Sequence, residues 1–267
     1  MNQRQSLHEA FSKVPAVTLG FWVIKILATT LGETGGDTVT MSWLGETTDS
    51  AVPGGYLIGT AIFGLLLVVL VWLQIRARRF NPWLYWATIV ASTTCGTTLA
   101  DFADRSLGIG YAGGSLLLLA LVLGSIAAWK LVEGKVSSTQ VTSGRAELFY
   151  WITITFSQTL GTALGDWAAD NGGLGYLGAA ALFGAAIAIV AGLYFFTRLN
   201  RTALFWAAFI LTRPLGATLG DFLDKPIAKG GLDFSRPLAS AFLVIALIVV
   251  VAIGARRTAA PGDGEAA

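Results

Sequence analysis

Residues 150–166 read YWITITFSQTLGTALGD, and the same frame recurs as FWVIKILATTLGETGGD at 21–37, YWATIVASTTCGTTLAD at 85–101 and FWAAFILTRPLGATLGD at 205–221. Each copy is an aromatic residue and a Trp, then nine residues, then Gly-x-x-x-(Gly or Ala)-Asp, with no gap in any copy. Self-similarity at fixed spacing marks a repeat architecture. Each motif is followed by a break, at Gly55-Tyr56, Gly110-Tyr111, Gly175-Tyr176 and, more loosely, Asp233-Phe234, and then by a plainer apolar stretch. Each repeat therefore reads as a helical hairpin, polar residues on its first helix and almost none on its second. The expected helices cover about 14–38, 54–75, 82–104, 111–132, 147–170, 174–197, 202–224 and 237–255.

The rest of the chain fits a membrane setting. Of 267 residues, 54% are hydrophobic and 13% charged, about half the charge of an ordinary soluble domain. Apolar runs on the scale of a bilayer crossing recur at Leu57–Leu73, Ser115–Trp129, Leu177–Phe196 and Leu238–Ile253. The expected fold is an all-α membrane protein with eight transmembrane helices. They form four parallel two-helix repeats, pseudo-symmetric about an axis along the membrane normal. One membrane domain spans 14–257, its repeats at about 14–75, 82–132, 147–197 and 202–255. A polar N-terminus (1–13), unlike a signal peptide, precedes it, and a flexible tail (258–267) follows.

Several classes of chemistry lack their residues. The single cysteine, Cys95, allows no intrachain disulfide, and the single histidine, His8, lies in the polar N-terminus. Neither a zinc or haem site nor a Ser-His-Asp or Cys-His nucleophile set can be assembled. No ATP-binding motif is present, which excludes primary active transport by this chain alone. A net charge of +2 implies no nucleic-acid partner. No enzyme activity and no resident cofactor are expected.

The chain resembles a family of bacterial membrane proteins defined by four tandem repeats of unknown function, each with two transmembrane helices and a characteristic tryptophan. Trp22, Trp86, Trp151 and Trp206 carry the resemblance, with the Gly-x-x-x-Gly-Asp motifs after them. It covers nearly the whole chain. It implies the eight-helix fold and a bacterial location, but no activity. Repeat one departs most: Glu33 is added, and Thr40 stands where repeats two and four have Asp104 and Asp224.

Charge sets the expected orientation. Arg4, Lys13, Arg76, Arg78, Arg79, Lys130, Lys135, Arg145, Arg198, Arg201, Arg256 and Arg257 gather at one end of the hairpins. Glu46, Asp49, Asp104, Asp170, Asp224 and Asp233 gather at the other. By the positive-inside rule the basic end and both termini face the cytoplasm, across a bacterial inner membrane.

Within each odd helix the polar groups share one side. With the first motif Gly at zero and about 100° per residue, the second small residue falls near 40°, the Trp near 80° and the Asp near 140°. Gly-x-x-x-Gly lets helices approach closely in lipid. An Asp at bilayer depth costs about 2.5–3.5 kcal/mol on insertion scales, so these faces should turn inward. A central cavity ringed by Asp37, Asp101, Asp166 and Asp221 follows, with Glu33, Thr97 and Thr162 beside it and the hydroxyls of Thr30, Thr94 and Thr159 near. Trp22, Trp86, Trp151 and Trp206 either line that cavity or anchor at the interface. Lys25 and Arg213 balance carboxylates or read a substrate. Pro214 should kink its helix.

Intramembrane ionisable groups point to an ion or substrate path. An oxygen-only donor set suits a hard cation. The leading expectation is a small secondary transporter for such an ion, manganese or another divalent among the candidates. Asp101, Asp166 and Asp221 would be the metal ligands, and Glu33 with Asp37 the gating or proton-coupling pair. Proton coupling would draw on crowded like charges, which cannot all stay ionised. The alternatives are a carrier of an anionic or amphipathic organic solute read by Lys25 and Arg213, and a non-transporting sensor or structural protein. The expected partners are the lipid bilayer and a small ion or solute, with a homo-oligomer as an option.

Overall fold

The computed structural model describes residues 13–47, 52–137, 141 and 143–259. Its α-helices are α1 (Leu19–Asp37), α2 (Gly55–Arg76), α3 (Pro82–Asp101), α4 (Tyr111–Glu133), α5 (Gly144–Asp166), α6 (Gly175–Phe196), α7 (Arg201–Asp224) and α8 (Arg236–Ala259). No strand occurs among the described residues. The expected N-terminus lies, except for Lys13, outside the described residues. Helix α8 runs two residues into the expected flexible tail, and the rest of that tail also lies outside.

Each odd helix opens on a side-chain cap, which satisfies backbone N–H groups that have no partner inside the helix. Thr18 accepts from Phe21 N, Asn81 from Trp83 N and Leu84 N, Ser143 from Ala146 N, and Asn200 from Ala203 N. Pro82 at the start of α3 loses nothing by lacking an N–H there. Helices α1, α3 and α5 widen into π-helical turns, at Thr38–Trp43, Phe102–Ser106 and Trp167–Asn171, so the expected helix ends at 104 and 170 fall inside these turns. Helix α7 continues through Pro214 and stops at Lys225-Pro226. The breaks before α2, α4 and α6 use Gly54, Gly110 and Gly173 at φ of 76°, 78° and 67°, a region that disfavours side chains bearing a Cβ.

The helices form two layers. The four odd helices run parallel and close a ring, α1 on α3, α3 on α5, α5 on α7 and α7 on α1. The even helices wrap this ring. The expected hairpin is not the packing unit, because the two helices of a repeat barely touch. Helix α2 lies on α3, α4 on α5, α6 on α7, and α8 returns to α1. Each even helix is thus handed to the next repeat, and no repeat is complete alone.

Glycine explains the close ring. A Cβ on Gly32 would collide with Thr93, one on Gly161 with Arg213, and one on Gly216 with Thr29. One on Gly96 would sit 2.9 Å from Thr159 N and 3.1 Å from Gln158 Cβ. The first motif glycine of every repeat therefore receives the residue three before the corresponding glycine of the next. That is the backbone approach small-residue motifs permit.

Burial follows the layers. Helices α2, α4, α6, α7 and α8 are long and apolar enough to cross a membrane. The most apolar stretch of α7 is 67% buried, whereas those of α2, α4, α6 and α8 are 17–22% buried and leave large apolar side chains such as Leu65, Val68, Leu116, Ile189 and Phe242 exposed. An exposed apolar surface of that extent needs an apolar surrounding.

Candidate functional site

The ring is organised in levels, because equivalent residues of the four repeats stand at the same height. At one end the aromatic pairs interlock. Phe21 meets Trp86 at 5.4 Å between ring centroids, Tyr85 meets Trp151 at 5.7 Å, Tyr150 meets Trp206 at 6.0 Å and Phe205 meets Trp22 at 5.7 Å. Trp129 from α4 joins them, and the Tyr85 and Tyr150 hydroxyls share a 2.6 Å hydrogen bond. Trp86, Trp151 and Trp206 are buried and Trp22 is partly so. These residues were expected to line a cavity or sit at an interface. They instead plug one end of the ring, since each aromatic pair finds its partner in the next repeat.

One turn along, Lys25 is fully buried. Its ammonium lies 3.4 Å from Gln158 Oε1 and 4.2 Å from the centre of the Phe209 ring. One turn further, Arg213 reaches from α7 to the other three odd helices. One guanidinium nitrogen donates to Glu33 at 2.9 Å, Thr97 at 2.6 Å and Thr162 at 2.5 Å. Glu33, Thr97 and Thr162 occupy one repeat position, so a single cation ties the ring together at that level. Lys25 and Arg213 are both engaged internally, and neither lines the open cleft described below. Thr30, Thr94 and Thr159 donate to carbonyls of their own helices, at 2.9, 2.9 and 3.0 Å. Such back-bonding makes hydroxyls inside a bundle self-sufficient.

The carboxylates come next, and all are buried. Glu33, Asp166 and Asp221 bring oxygens within 4.8 Å of one another, and so do Asp37, Asp221 and Asp224. Asp221 belongs to both groups. The expected ligand trio of Asp101, Asp166 and Asp221 is not the one the fold assembles. Asp101 is taken by Arg105, one turn on, at 2.7 Å. Glu33 and Asp37 do not pair with each other either. Glu33 faces Arg213 at 2.9 Å, and Asp37 accepts from Lys225 at 2.5 Å. Asp166 has no ion-pair partner among the described residues.

Beyond the carboxylates an open cleft of about 890 Å³ is lined by Arg105, Asp170, Tyr176, Asp224, Lys225 and Arg236, among others. The four motif aspartates, around which a cavity was expected, do not line this cleft; they are buried, and Asp224 and Lys225 connect it to them. Lys225 lies 3.0 Å from Asp221 and 4.0 Å from Asp224, and Arg236 lies 3.7 Å from Asp224. Burial alone would lower the Lys225 ammonium. Asp221, Asp37 and Asp224 outweigh it and hold its pKa well above the ordinary lysine range.

Arg105, Lys225, Arg236 and Asp224 complete the site although they were not among its expected members. A signal for two of them was present. In repeats two and four a basic residue follows the motif Asp by four positions, the spacing at which helical side chains meet. Arg236 had none, since it arrives from the far end of the chain.

A family model described as a repeat of unknown function (DUF347) matches residues 20–80, 84–135, 149–200 and 204–259. No curated protein and no solved structure gives a match.

Proposed function

Starting from a chain that belongs to the DUF347 repeat family, we propose that it is a small secondary transporter of a hard cation, spanning a bacterial inner membrane eight times with both termini cytoplasmic. The observation that carries this reading is the pair of buried carboxylate groups sharing Asp221, with an open cleft on one side and the aromatic plug on the other. A path open at one end and shut at the other suits one state of an alternating-access carrier.

Charge supports a cation. At this level Glu33, Asp37, Asp101, Asp166, Asp221 and Asp224 face Arg105, Arg213, Lys225 and Arg236. Lys25 lies about 12 Å further along the helix from Glu33. With every group ionised the carboxylates are in excess, and Asp166 is the one without an ion-pair partner. A divalent ion such as Mn²⁺ or Mg²⁺ would offset that excess and take oxygens from Glu33, Asp166 and Asp221.

Eight spans are supported by the wrapping of the ring. Helices α1, α3 and α5 are less apolar than the rest because they face one another. A pseudo-fourfold axis along the membrane normal accounts for the repeated contact between each motif glycine and the next repeat. Trp43 and Trp167 at the acidic end, and Trp72 and Trp83 at the other, are exposed, as in two interfacial aromatic belts. The basic residues concentrated beyond the plug support a cytoplasmic side for that end by the positive-inside rule, although Arg105, Lys225, Lys229 and Arg236 stand at the acidic end.

The test is flux into proteoliposomes loaded with a metal-sensitive dye. Uptake of Mn²⁺ or Mg²⁺ should be lost in Asp221→Asn and Asp166→Asn when both variants remain folded. Unchanged flux in both, or no flux by the native chain, defeats the reading. A second reading draws on the four basic residues of the cleft, which would suit an anionic organic solute. It predicts solute uptake that fails on Arg105→Ala or Arg236→Ala and ignores Asp166→Asn.

A further inference from the structure

Lys225 stands where a second cation would. It is buried, and its ammonium lies among Asp37, Asp221 and Asp224, the outer of the two carboxylate groups. One ammonium fits this place poorly. The ammonium donates to Asp37 Oδ2 and lies 3.0 Å from Asp221 Oδ1. Asp37 Oδ1 and Asp224 Oδ1 are buried without a hydrogen bond among the described residues, and Asp224 Oδ2 has Arg236 no nearer than 3.7 Å. Buried acceptors without partners are costly, and an ammonium offers three donors from one point. A hard metal ion gathers six or more oxygens from several directions. The oxygens left over are those such an ion would use.

The position also lets Lys225 leave. It follows the last residue of α7, precedes Pro226, and lines the cleft. Its flexible four-carbon stem could carry the ammonium from the carboxylates into the cleft without unwinding a helix. Among the described residues Arg105, at the same repeat position, forms its ion pair with Asp101.

Building on the cation-carrier reading, we propose that Lys225 is a tethered stand-in for the transported ion, holding Asp37, Asp221 and Asp224 until a cation from the cleft displaces it. Asp221 serves both groups, so the arriving ion must remove Lys225 before it reaches Glu33 and Asp166. Lys225 then sets affinity by competition and does not ligate the ion. Arg236, on the far side of Asp224, stays to steady that carboxylate.

The experiment titrates the purified full-length protein with Mn²⁺, and separately with Mg²⁺, by calorimetry and thermal unfolding. Native protein is compared with Lys225→Met, Lys225→Arg and Asp166→Asn. Lys225→Met should bind Mn²⁺ at least about tenfold more tightly than the native chain and gain a larger thermal shift, because the competitor is gone. Lys225→Arg should stay near native. If Lys225→Met unfolds without metal, rescue by Mn²⁺ supports the proposal and failure of rescue overturns it. Equal or weaker binding by a folded Lys225→Met also overturns it. Native and Asp166→Asn proteins that bind alike would defeat the inner-site reading, while the Lys225→Met result still decides this one. Absence of binding in both the native chain and Lys225→Met removes both.

Discussion

The two ends of the inner ring use the same four helices in opposite ways. At the aromatic end every repeat makes the same contact, an aromatic ring against the tryptophan of the next repeat, four times around. At the acidic end the repeats diverge, although Asp101 and Asp221 each meet a basic residue four positions on. One level holds Glu33, Thr97, Thr162 and Ala217, and the level carrying Arg213 holds Thr29, Thr93 and Gln158 otherwise. Repetition serves packing, because one solution that buries a side chain will do so at every equivalent position. Four copies of one charge on an axis would repel one another. A polar site at the centre of a ring must therefore break the equivalence of its repeats, as Glu33 and Arg213 do.

The comparison can be broken first at the glycines. Gly161→Leu places a branched side chain where Arg213 packs, and overpacking of this kind costs about 1–3 kcal/mol or more. Gly32→Leu and Gly216→Leu should fail as severely, because their glycines receive a neighbour in the same way. The expected result is loss of monodisperse protein in size-exclusion chromatography for all three. A variant with native stability would show that the ring is looser than the contacts imply.

The next largest effect lies at the acidic end, where equivalence should fail. Glu33→Gln leaves Arg213 as a buried cation without its carboxylate, and breaking such a pair costs about 3–5 kcal/mol. The double variant Glu33→Met with Arg213→Met should recover much of that stability in thermal unfolding while abolishing ion uptake. Equal losses in the single and double variants would mean that the pair is not coupled.

Smaller effects sharpen the contrast. Asp101→Asn should weaken Mn²⁺ binding far less than Asp221→Asn, although the two residues are repeat equivalents, because Asp101 belongs to neither carboxylate group. A difference below about threefold in calorimetry would argue against the asymmetry. The smallest effect belongs to Tyr85→Phe, which removes one hydroxyl of the 2.6 Å pair in the plug. It should lower stability by about 1 kcal/mol and leave ion binding unchanged.

Much of this was legible in the residues alone. Fixed Trp-to-Gly spacing and the apolar runs between the motifs placed all eight helices within about five residues; the start of α1, the end of α8 and the π-helical turns after α1, α3 and α5 account for the largest differences. The inward face of Glu33, Asp37, Asp166 and Asp221 was also readable, since one helix wheel holds the glycine stripe and the acids together. The partners were not. Arg105 and Lys225 could have been paired with Asp101 and Asp221 by helical spacing. That Lys225 also reaches Asp37, or that Arg213 joins Glu33, depends on residues 188 and 180 positions apart.

The sequence by itself determined the repeats, the helices and the side of each helix that turns away from lipid, because all three are periodic properties of a single strand of chain. Tertiary structure decided the rest. It passed each even helix to the next repeat, set the tryptophans in a plug, kept the motif aspartates out of the lining of the open cleft and chose which acids share a site. These outcomes depend on how neighbouring helices are offset when glycine lets their backbones meet, and no periodicity within one helix records that offset.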